Sequence, residues 1–256
     1  MKYLYLMLLS LLVYPAYSQD SYNIEPSVLE CMYDCEQEGM KDSYIMRAGN
    51  TTSQFFSVSQ YRTDSLLNTS EATLEIATNE FFESIDKEKP TNEPEICSTI
   101  YRERLYLYNT LGKLKLYSNY ADARNCYEDT LISQKWNIST DSAKVILGYT
   151  CHYATTMFHG RLWKVWYTED IPMSLGPWKL NGLPGLILQA TADDGFITFT
   201  ATRISTENIP YVRFINFGKY KYYNMTRERF LKYKSRPRTI PYANKVLPAK
   251  PYIEKE

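Results

Sequence analysis

The sequence predicts a mainly β domain whose strands are antiparallel, together with one or two helices. From Tyr101 onward, apolar and polar residues alternate with a period of two, as they do in strands with one buried face. Turn residues separate consecutive runs, and the order is not one of alternating strand and helix patterns. Tyrosine occurs 24 times, which suits half-buried sheets because the ring packs while the hydroxyl stays in water. These observations favour an antiparallel meander.

The first 100 residues contain three predicted strands followed by a helix. The strands are Val28–Tyr33, Ser43–Met46 and Phe55–Ser59, with a turn at Gly49-Asn50 between the second and the third. From Glu71 to Ile85, apolar residues recur at helical spacing with glutamates between them, which predicts an amphipathic helix. Prolines then predict a loop over Lys89–Glu95.

The second part of the chain begins with a predicted hairpin. Leu105 and Leu107 alternate with tyrosines, residues 109–112 form the turn, and Leu114 and Leu116 alternate again. Further predicted strands are Tyr127–Ile138, Lys144–Met157, Leu162–Thr168, Leu186–Thr191 and Phe196–Ile204, with turns at His159-Gly160 and Asp193-Asp194-Gly195. A short helix within Tyr220–Tyr233, with Thr226 as its N-cap, completes the predicted elements.

The N-terminal segment predicts export. Lys2 precedes a nearly uncharged apolar run from Tyr3 to Tyr14, and Ala16-Tyr17-Ser18 supplies the small residues of a cleavage site before Gln19. The run is shorter than the ~20 apolar residues that a spanning helix needs, and no cysteine follows the cut. We therefore expect a signal peptide at 1–18, a single β-rich domain at 19–235 and a Pro-rich basic tail at 236–256. The mature protein is expected to be periplasmic or secreted, without a transmembrane segment.

Five cysteines remain in this exported chain, at positions 31, 35, 97, 126 and 151. An odd number leaves at least one thiol without a partner in the chain. Cys126 and Cys151 lie in predicted strands of the same region, so they are the candidate disulfide. Cys31 and Cys35 share one face of a strand but are too far apart along it to be bridged.

Charge is distributed unevenly although the net charge is zero. Residues 19–100 carry 16 acidic and 5 basic residues, whereas residues 211–250 carry 11 basic residues and one acidic residue, Glu228. Either the two regions neutralise each other within the fold, or the basic C-terminal region binds an anionic envelope partner such as a lipid head group or polysaccharide. The mixed basic and aromatic stretch Lys219–Tyr223 would suit single-stranded nucleic acid. Predicted export and zero net charge argue against such a partner.

The segment from Leu147 to Leu188 carries the most specific motifs. It contains Phe158-His159-Gly160-Arg161, then Gly176-Pro177-Trp178-Lys179-Leu180-Asn181, and finally Gly182-Leu183-Pro184-Gly185-Leu186-Ile187-Leu188. These motifs resemble the GLPGLI family of exported proteins from Gram-negative bacteria, and the likeness covers roughly Cys126 to Ile204. The resemblance implies export, but it implies no activity, substrate or catalytic residue.

The prolines and glycines of this segment have a physical role of their own. Pro172, Pro177 and Pro184 remove backbone donors, while the glycines allow backbone geometries that other residues avoid. Residues 171–185 should therefore form an ordered crossing between two strands, outside the sheet ladder. Three interpretations remain open for the crossing: a turn that closes one end of the core, the lip of a ligand pocket, or a catalytic loop.

The strand pattern also resembles the open half-barrel sheets of periplasmic lipoprotein carriers. A helix on such a sheet commonly leaves an apolar cavity, which favours a lipid or peptide ligand. The candidate ligand-binding residues are Trp166, Trp178, Leu183, Pro184 and Leu186. The leading hypothesis is a non-catalytic envelope protein that binds a hydrophobic or amphipathic ligand. The alternative is a structural or interaction protein of the envelope with a filled core.

An enzyme of unrecognised type is the second alternative. It requires at least two of five polar residues to converge in one cleft: His152, His159, Arg161, Glu169 and Asp170. The sequence contains neither a nucleophile elbow nor a phosphate-binding glycine loop. The two histidines and five cysteines do not show the close spacing of a metal site. No catalytic residue, metal or cofactor is therefore predicted.

Overall fold

The computed structural model describes seven parts of the chain: residues 20–86, 104–120, 123–192, 195–236, 238–240, 245–247 and 253–254. The predicted signal peptide, the predicted loop at 89–95, Cys97 and Asp193-Asp194 lie outside the described residues.

Strands make up most of the described chain, and the prediction of a mainly β, open antiparallel fold is confirmed. The strands are β1 (Tyr22–Glu25), β2 (Leu29–Gln37), β3 (Met40–Ala48), β4 (Thr52–Ser57), β5 (Arg104–Thr110), β6 (Lys113–Tyr120), β7 (Ala123–Thr130), β8 (Asn137–Ile146), β9 (Tyr149–Phe158), β10 (Arg161–Thr168), β11 (Leu186–Ala192), β12 (Ile197–Ser205), β13 (Val212–Phe214), β14 (Tyr223–Asn224), β15 (Arg238–Ile240) and β16 (Lys245–Leu247).

Twelve of these strands form one sheet in the order β14-β7-β6-β5-β4-β3-β2-β12-β11-β10-β9-β8. Every neighbouring pair is antiparallel except β14 and β7, which are parallel. The sheet is not closed, so β14 and β8 are its edges. Strand β12 returns to lie beside β2, which joins the N-terminal hairpins to the strands that surround the crossing.

Four hairpins of the sheet turn through two residues that both have positive φ. They are Glu38-Gly39, Leu111-Gly112, Leu147-Gly148 and His159-Gly160. Such turns match the right-handed twist of the paired strands, and glycine adopts the second position without strain. The turns ending at Gly112 and Gly160 were predicted from the sequence. The other two turns were not predicted.

The missed turn at Leu147-Gly148 makes the predicted strand Lys144–Met157 wrong, because that segment is the β8–β9 hairpin. The predicted strand Tyr127–Ile138 is wrong as well. It is interrupted between β7 and β8, where the side chain of Gln134 accepts a hydrogen bond of 2.7 Å from the backbone N–H of Asn181. In both segments the apolar residues suggested one continuous strand, although the backbone leaves the sheet at the Leu147-Gly148 turn and between β7 and β8.

Three helices accompany the sheet: α1 (Val58–Thr69), α2 (Glu71–Asp86) and α3 (Arg227–Lys234). The predicted helix over Glu71–Ile85 and the N-cap at Thr226 are confirmed. Helix α1 was not predicted. It begins where the third predicted strand ends, because the Ser57 hydroxyl accepts a hydrogen bond from the backbone N–H of Gln60. Among the described helices, none is long and apolar enough to cross a membrane.

The two faces of the sheet carry separate hydrophobic clusters. The main face, defined here by the cluster that contains Phe55, Leu107 and Trp163, extends over most of the sheet. The second face carries a smaller cluster of Phe56, Tyr106, Tyr108, Phe214 and Ile215. Helix α1 lies over the second face, since Tyr61 packs against Phe56. Helix α3 lies over the main face, since Phe230 packs against Tyr127.

Candidate functional site

The crossing comprises residues 169–185, between the end of β10 and the start of β11, and it lies outside the ladder. The backbone N–H of Leu186 donates to the carbonyl of Ile171, and that of Ile187 donates to the carbonyl of Leu175. Leu175 and Asn181 form an isolated antiparallel bridge. These bonds fix the crossing as an ordered segment, as its prolines and glycines predicted.

At two positions of the crossing only glycine fits, because neighbouring atoms lie where a side chain would begin. A Cβ atom on Gly185 would lie 1.9 Å from the backbone oxygen of Thr168, and one on Gly176 would lie 2.8 Å from the Cβ of Ile187. Both values are below any normal contact. Gly182 is required for another reason, its φ of +91°. The three glycines thus let the crossing return against the end of β10, and this supports its interpretation as a closure of the core.

Trp178 anchors the crossing on the main face. It is buried, and its ring is stacked on that of Trp163 at 5.6 Å between centroids. Within the described chain, the indole N–H groups of Trp163 and Trp178 have no acceptor. Trp178 also lines a cavity of about 20 Å³ beneath the crossing. A cavity of this size holds about one water molecule, so the space under the crossing is too small for a lipid.

The next residue, Lys179, is a buried cation. Its side chain is only 2% exposed, and its Nζ donates to Glu254 Oε1 at 2.5 Å and to the Tyr127 hydroxyl at 3.0 Å. Desolvation lowers the pKa of Lys179, and the carboxylate of Glu254 opposes this effect. A buried ammonium requires a charged partner, and Glu254 is the partner that Lys179 has.

The other oxygen of Glu254 is held by Arg227, the first residue of α3. The Nε and Nη2 atoms of Arg227 lie 2.9 and 2.5 Å from Glu254 Oε2. Arg227 also lies 2.7 Å from His159 Nδ1 and 3.6 Å from Asp129 Oδ2. The Glu254 side chain is fully buried. Its two carboxylate oxygens are bound by two cations, one by Lys179 and the other by Arg227.

Ile253 and Glu254 together are called the docked segment, and the rest of the described chain is called the body. Ile253 supplies the remaining contacts of the docked segment with the body. Its side chain joins the main-face cluster, and its carbonyl accepts a hydrogen bond of 2.8 Å from Arg161 Nε. The Arg161 guanidinium lies 3.9 Å from the centre of the Phe196 ring. We define the docking site by the body residues that hold the segment, which are Tyr127, His159, Arg161, Lys179 and Arg227.

The five predicted ligand-binding residues lie in three different environments, and their role in ligand binding stays a prediction. Trp178, Leu183 and Leu186 are buried in the main-face cluster, Pro184 is exposed, and Trp166 is half-buried with its ring 5.2 Å from that of Tyr153.

Sequence reasoning missed the residues that do hold the docked segment. The available signal was Lys179, a lysine between two apolar residues of the crossing. Nothing in the sequence connects it with Glu254, 75 positions later.

The five residues of the enzyme hypothesis are divided between the two ends of the β9–β10 hairpin. His152 packs on Tyr167, whose hydroxyl lies 3.5 Å from Glu169. His159 lies seven residues further along the chain, in the turn after β9 and about 23 Å away at 3.3 Å per residue, near Arg161. The partners of His159 and Arg161 there are Arg227 and the carbonyl of Ile253. Two of the five residues, His159 and Arg161, therefore meet, and they do so in the docking site, while the other three lie at the opposite end of the hairpin. Among the described residues, no group of three or more His, Cys, Asp or Glu side chains could hold a metal ion.

The predicted disulfide between Cys126 and Cys151 is absent, and both residues are free buried thiols. Cys126 lies on β7 and Cys151 on β9, with eight strands between them in the sheet. The Cys126 thiol donates to Asn224 Oδ1 at 2.7 Å, and the Cys151 thiol donates to the carbonyl of Tyr149. The prediction relied on nearness in sequence, whereas the order of the strands separates the pair. Cys31 and Cys35 are both buried, as expected for residues on one strand face.

Fold and site together define a class: an open-sheet β domain with a buried, cationic docking site for a carboxylate. The model of the family described as "N-glycanase peptide, N-terminal domain", from PNGase F-II, matches residues 83–221. Because this match covers more than half of the chain, the chain belongs to that family.

Solved structures show the same fold. The structure of PNGF-II in space group P21 has a TM-score of 0.52 and 16% identity, and the match covers 84% of this chain and 35% of that one. The C2 form gives a TM-score of 0.50 and 17% identity, with 83% and 34% covered. The chain thus spans about a third of the length of PNGF-II.

A more distant likeness is to MucB in the Pseudomonas aeruginosa MucA/MucB complex. The TM-score is 0.37 and the identity 9%, with 72% of this chain and 53% of that chain covered. No curated protein matches the sequence. The resemblance of residues 147–188 to the GLPGLI family stays a prediction.

Proposed function

We propose that the chain is a non-catalytic, exported envelope protein that acts by binding a peptide segment of a partner protein. The observation that carries this proposal is the filled interior beneath the crossing. Residues predicted to line a ligand pocket are packed in the core there, and the remaining cavity of about 20 Å³ has room for one water. A lipid needs a cavity of at least ~300 Å³. Of the two ligand classes that the sequence suggested, this favours the peptide, because a peptide can bind at the surface and does not need an enclosed cavity.

Export to the periplasm or beyond is part of the proposal and depends on the signal peptide predicted at residues 1–18. The basic C-terminal region supports a partner that carries acidic groups, because Arg227 of that region binds a carboxylate in the structure. The same contact shows that some of the basic charge is neutralised within the fold.

Catalysis is not assigned to the chain. The family is named after one domain of an N-glycanase peptide, and the chain spans 35% of PNGF-II. Of the five candidate polar residues, His159 and Arg161 meet in the docking site, where they contact Glu254 and Ile253, and the Lys179 and Arg227 cations of that site are occupied by ion pairs.

The first test is the mass of the protein purified from an envelope fraction, measured under native and then denaturing conditions. We expect equal masses that match the chain without its signal peptide, because the cavity beneath the crossing has no room for a lipid. A mass excess of lipid size that is lost on denaturation would overturn the proposal in favour of a lipid carrier.

The second test is selection of displayed peptides on the immobilised full-length chain. We expect enriched sequences whose binding saturates and disappears when the immobilised chain is unfolded in urea. If no sequence is enriched above an unrelated β protein, the peptide-binding function is wrong.

A further inference from the structure

The cations of the docking site are held by the body of the protein as well as by the docked segment. Lys179 donates to the hydroxyl of Tyr127 on β7. Arg227 has contacts with Asp129 and His159. Arg161 lies over the ring of Phe196. Each cation therefore has a contact that does not involve residues 253–254, and these contacts can hold the three cations in place when that segment leaves.

The two buried cations of the site need an anionic partner. Lys179 and Arg227 share the carboxylate of Glu254, and Lys179 is only 2% exposed. When one partner of a buried ion pair is removed, the remaining charge is left desolvated without compensation. A departing Glu254 therefore leaves a strong site for another carboxylate.

The remaining contacts define what accompanies the carboxylate. The Ile253 side chain enters the apolar main-face cluster, and Arg161 donates to the backbone carbonyl of that residue. The site therefore offers an apolar pocket for one side chain, a donor to the backbone carbonyl of that residue and two cations for the next side chain, so it recognises two consecutive residues of a peptide. This combination of backbone bonding and side-chain pockets is typical of peptide recognition.

We propose that the docking site binds peptide segments in which an aliphatic residue precedes a glutamate, and that Ile253-Glu254 is its exchangeable occupant in cis. This inference rests on the proposed function and names the ligand of that function. In the structure the chain's own segment competes with the partner, so the contact is autoinhibitory. Partner binding requires that residues 253–254 be displaced.

The test uses the full-length chain with Ile253→Ser and Glu254→Gln, which empties the site in cis. The probe is a fluorescent hexapeptide with the sequence of residues 251–256, and the controls are the same peptide carrying either Ile253→Ser or Glu254→Gln. We expect the emptied chain to bind the unchanged peptide at least about tenfold more tightly than it binds either control. The Glu254→Gln peptide loses a buried charged hydrogen bond and the Ile253→Ser peptide loses the burial of an aliphatic side chain, and each loss is worth about that factor. The wild-type chain should also bind the unchanged peptide at least about tenfold more weakly, since its site is filled.

Two further results decide the role of the site. Lys179→Met in the emptied chain should abolish binding of the unchanged peptide while the cooperative thermal transition is retained. Equal binding of the three peptides, or no binding by an emptied chain that still unfolds cooperatively, would overturn the proposal. If displayed peptides of other sequence bind while the hexapeptide does not, the proposed function stands and this site assignment is wrong.

If the emptied chain does not fold, hydrogen exchange on the unmodified protein gives the answer. An excess of the unchanged peptide should accelerate deuterium uptake at residues 253–254, because it displaces them, and the Glu254→Gln peptide should not. If the unchanged peptide does not alter deuterium uptake at residues 253–254, the proposal that it replaces them in the docking site is wrong.

Discussion

The main face and the second face of the sheet differ in the share of tyrosine in their packing. The main face packs mainly aliphatic residues and tryptophans, such as Trp163, Leu186 and Leu188, which are all fully buried. It also contains a few tyrosines, among them Tyr33, whose hydroxyl donates to the carbonyl of Ile187 at 2.8 Å. The second face packs tyrosines whose hydroxyls are bonded. Tyr106 donates to Asp64 at 2.8 Å, while Tyr108 donates to one backbone carbonyl and accepts from the N–H of Ile215.

This difference shows how one sheet can be stabilised in two ways. On the main face the free energy comes from burial of apolar area, which is large and non-directional. On the second face, bonded hydroxyls also fix the direction in which β13 and α1 attach, but each such bond contributes only ~1 kcal/mol net. Substitutions should therefore have larger effects on the main face.

The largest effect is expected for Gly185→Ala at the crossing. The new Cβ would meet the backbone oxygen of Thr168 at 1.9 Å, so the crossing cannot close without a backbone shift, and we expect a loss of about 3 kcal/mol. The control is Gly39→Ala, where φ is +77° and nothing lies within 4 Å, which should cost ~1 kcal/mol of backbone strain. Urea unfolding of both variants measures the difference. Equal losses would mean that the close approach does not constrain the crossing.

A comparably large effect is expected for Leu186→Ala, which truncates a fully buried side chain beside the crossing. Transfer and cavity terms predict a loss of about 2–5 kcal/mol in the free energy of unfolding. Val145→Ala, at a residue that is 67% exposed on the edge strand β8, should change it by less than about 0.5 kcal/mol. Thermal and urea unfolding measure both. A loss below about 1 kcal/mol at position 186 would contradict the tight packing of the main face.

A smaller effect is expected from Tyr106→Phe on the second face. The substitution keeps the ring but removes the hydroxyl that donates to Asp64, a residue only 3% exposed. We expect a loss of about 1–3 kcal/mol from the weakened solvation of the buried carboxyl. Tyr223→Phe, at a residue 68% exposed, is the matched control and should leave the urea midpoint unchanged. If both variants match the wild type, the hydroxyl bond adds nothing to the second face.

The smallest effect is a difference in thiol reactivity between the faces. Burial raises the pKa of Cys31, on the main face, to about 12 and that of Cys126, on the second face, to about 11. At pH 8 both are protonated, and the thiolate fraction rises about tenfold per pH unit below the pKa. Iodoacetamide should therefore modify Cys126 before Cys31 in the native protein, faster at pH 9 than at pH 8. In urea the two rates should converge, and equal rates in the native state would refute the contrast.

Much of the fold could be predicted from local pattern. The hairpin of β5 and β6, the helix α2 and the cap at Thr226 each depend on residues within a few positions of one another. The strands that failed, over Tyr127–Ile138 and Lys144–Met157, contain breaks that apolar residues conceal. The N-terminal strand β1 was missed because its partner β13 lies nearly 190 positions away.

The docking site could not be predicted in the same way. The crossing was identified from its prolines and glycines, but its lysine was not linked to a carboxylate. Lys179, Glu254 and Arg227 meet only because β7, the β9–β10 turn and the start of α3 arrive at one end of the main face. The proposed disulfide failed for a related reason, since strand order and not sequence distance decides which cysteines meet.

The sequence by itself determined the class of fold, the ordered crossing and the positions where glycine is required, because each follows from backbone geometry and short-range periodicity. Only the tertiary structure decided that the space beneath the crossing is filled, that Cys126 and Cys151 lie far apart in the sheet, and that a buried lysine pairs with Glu254. Those outcomes depend on which distant segments are brought together, and burial then makes their charges interact strongly.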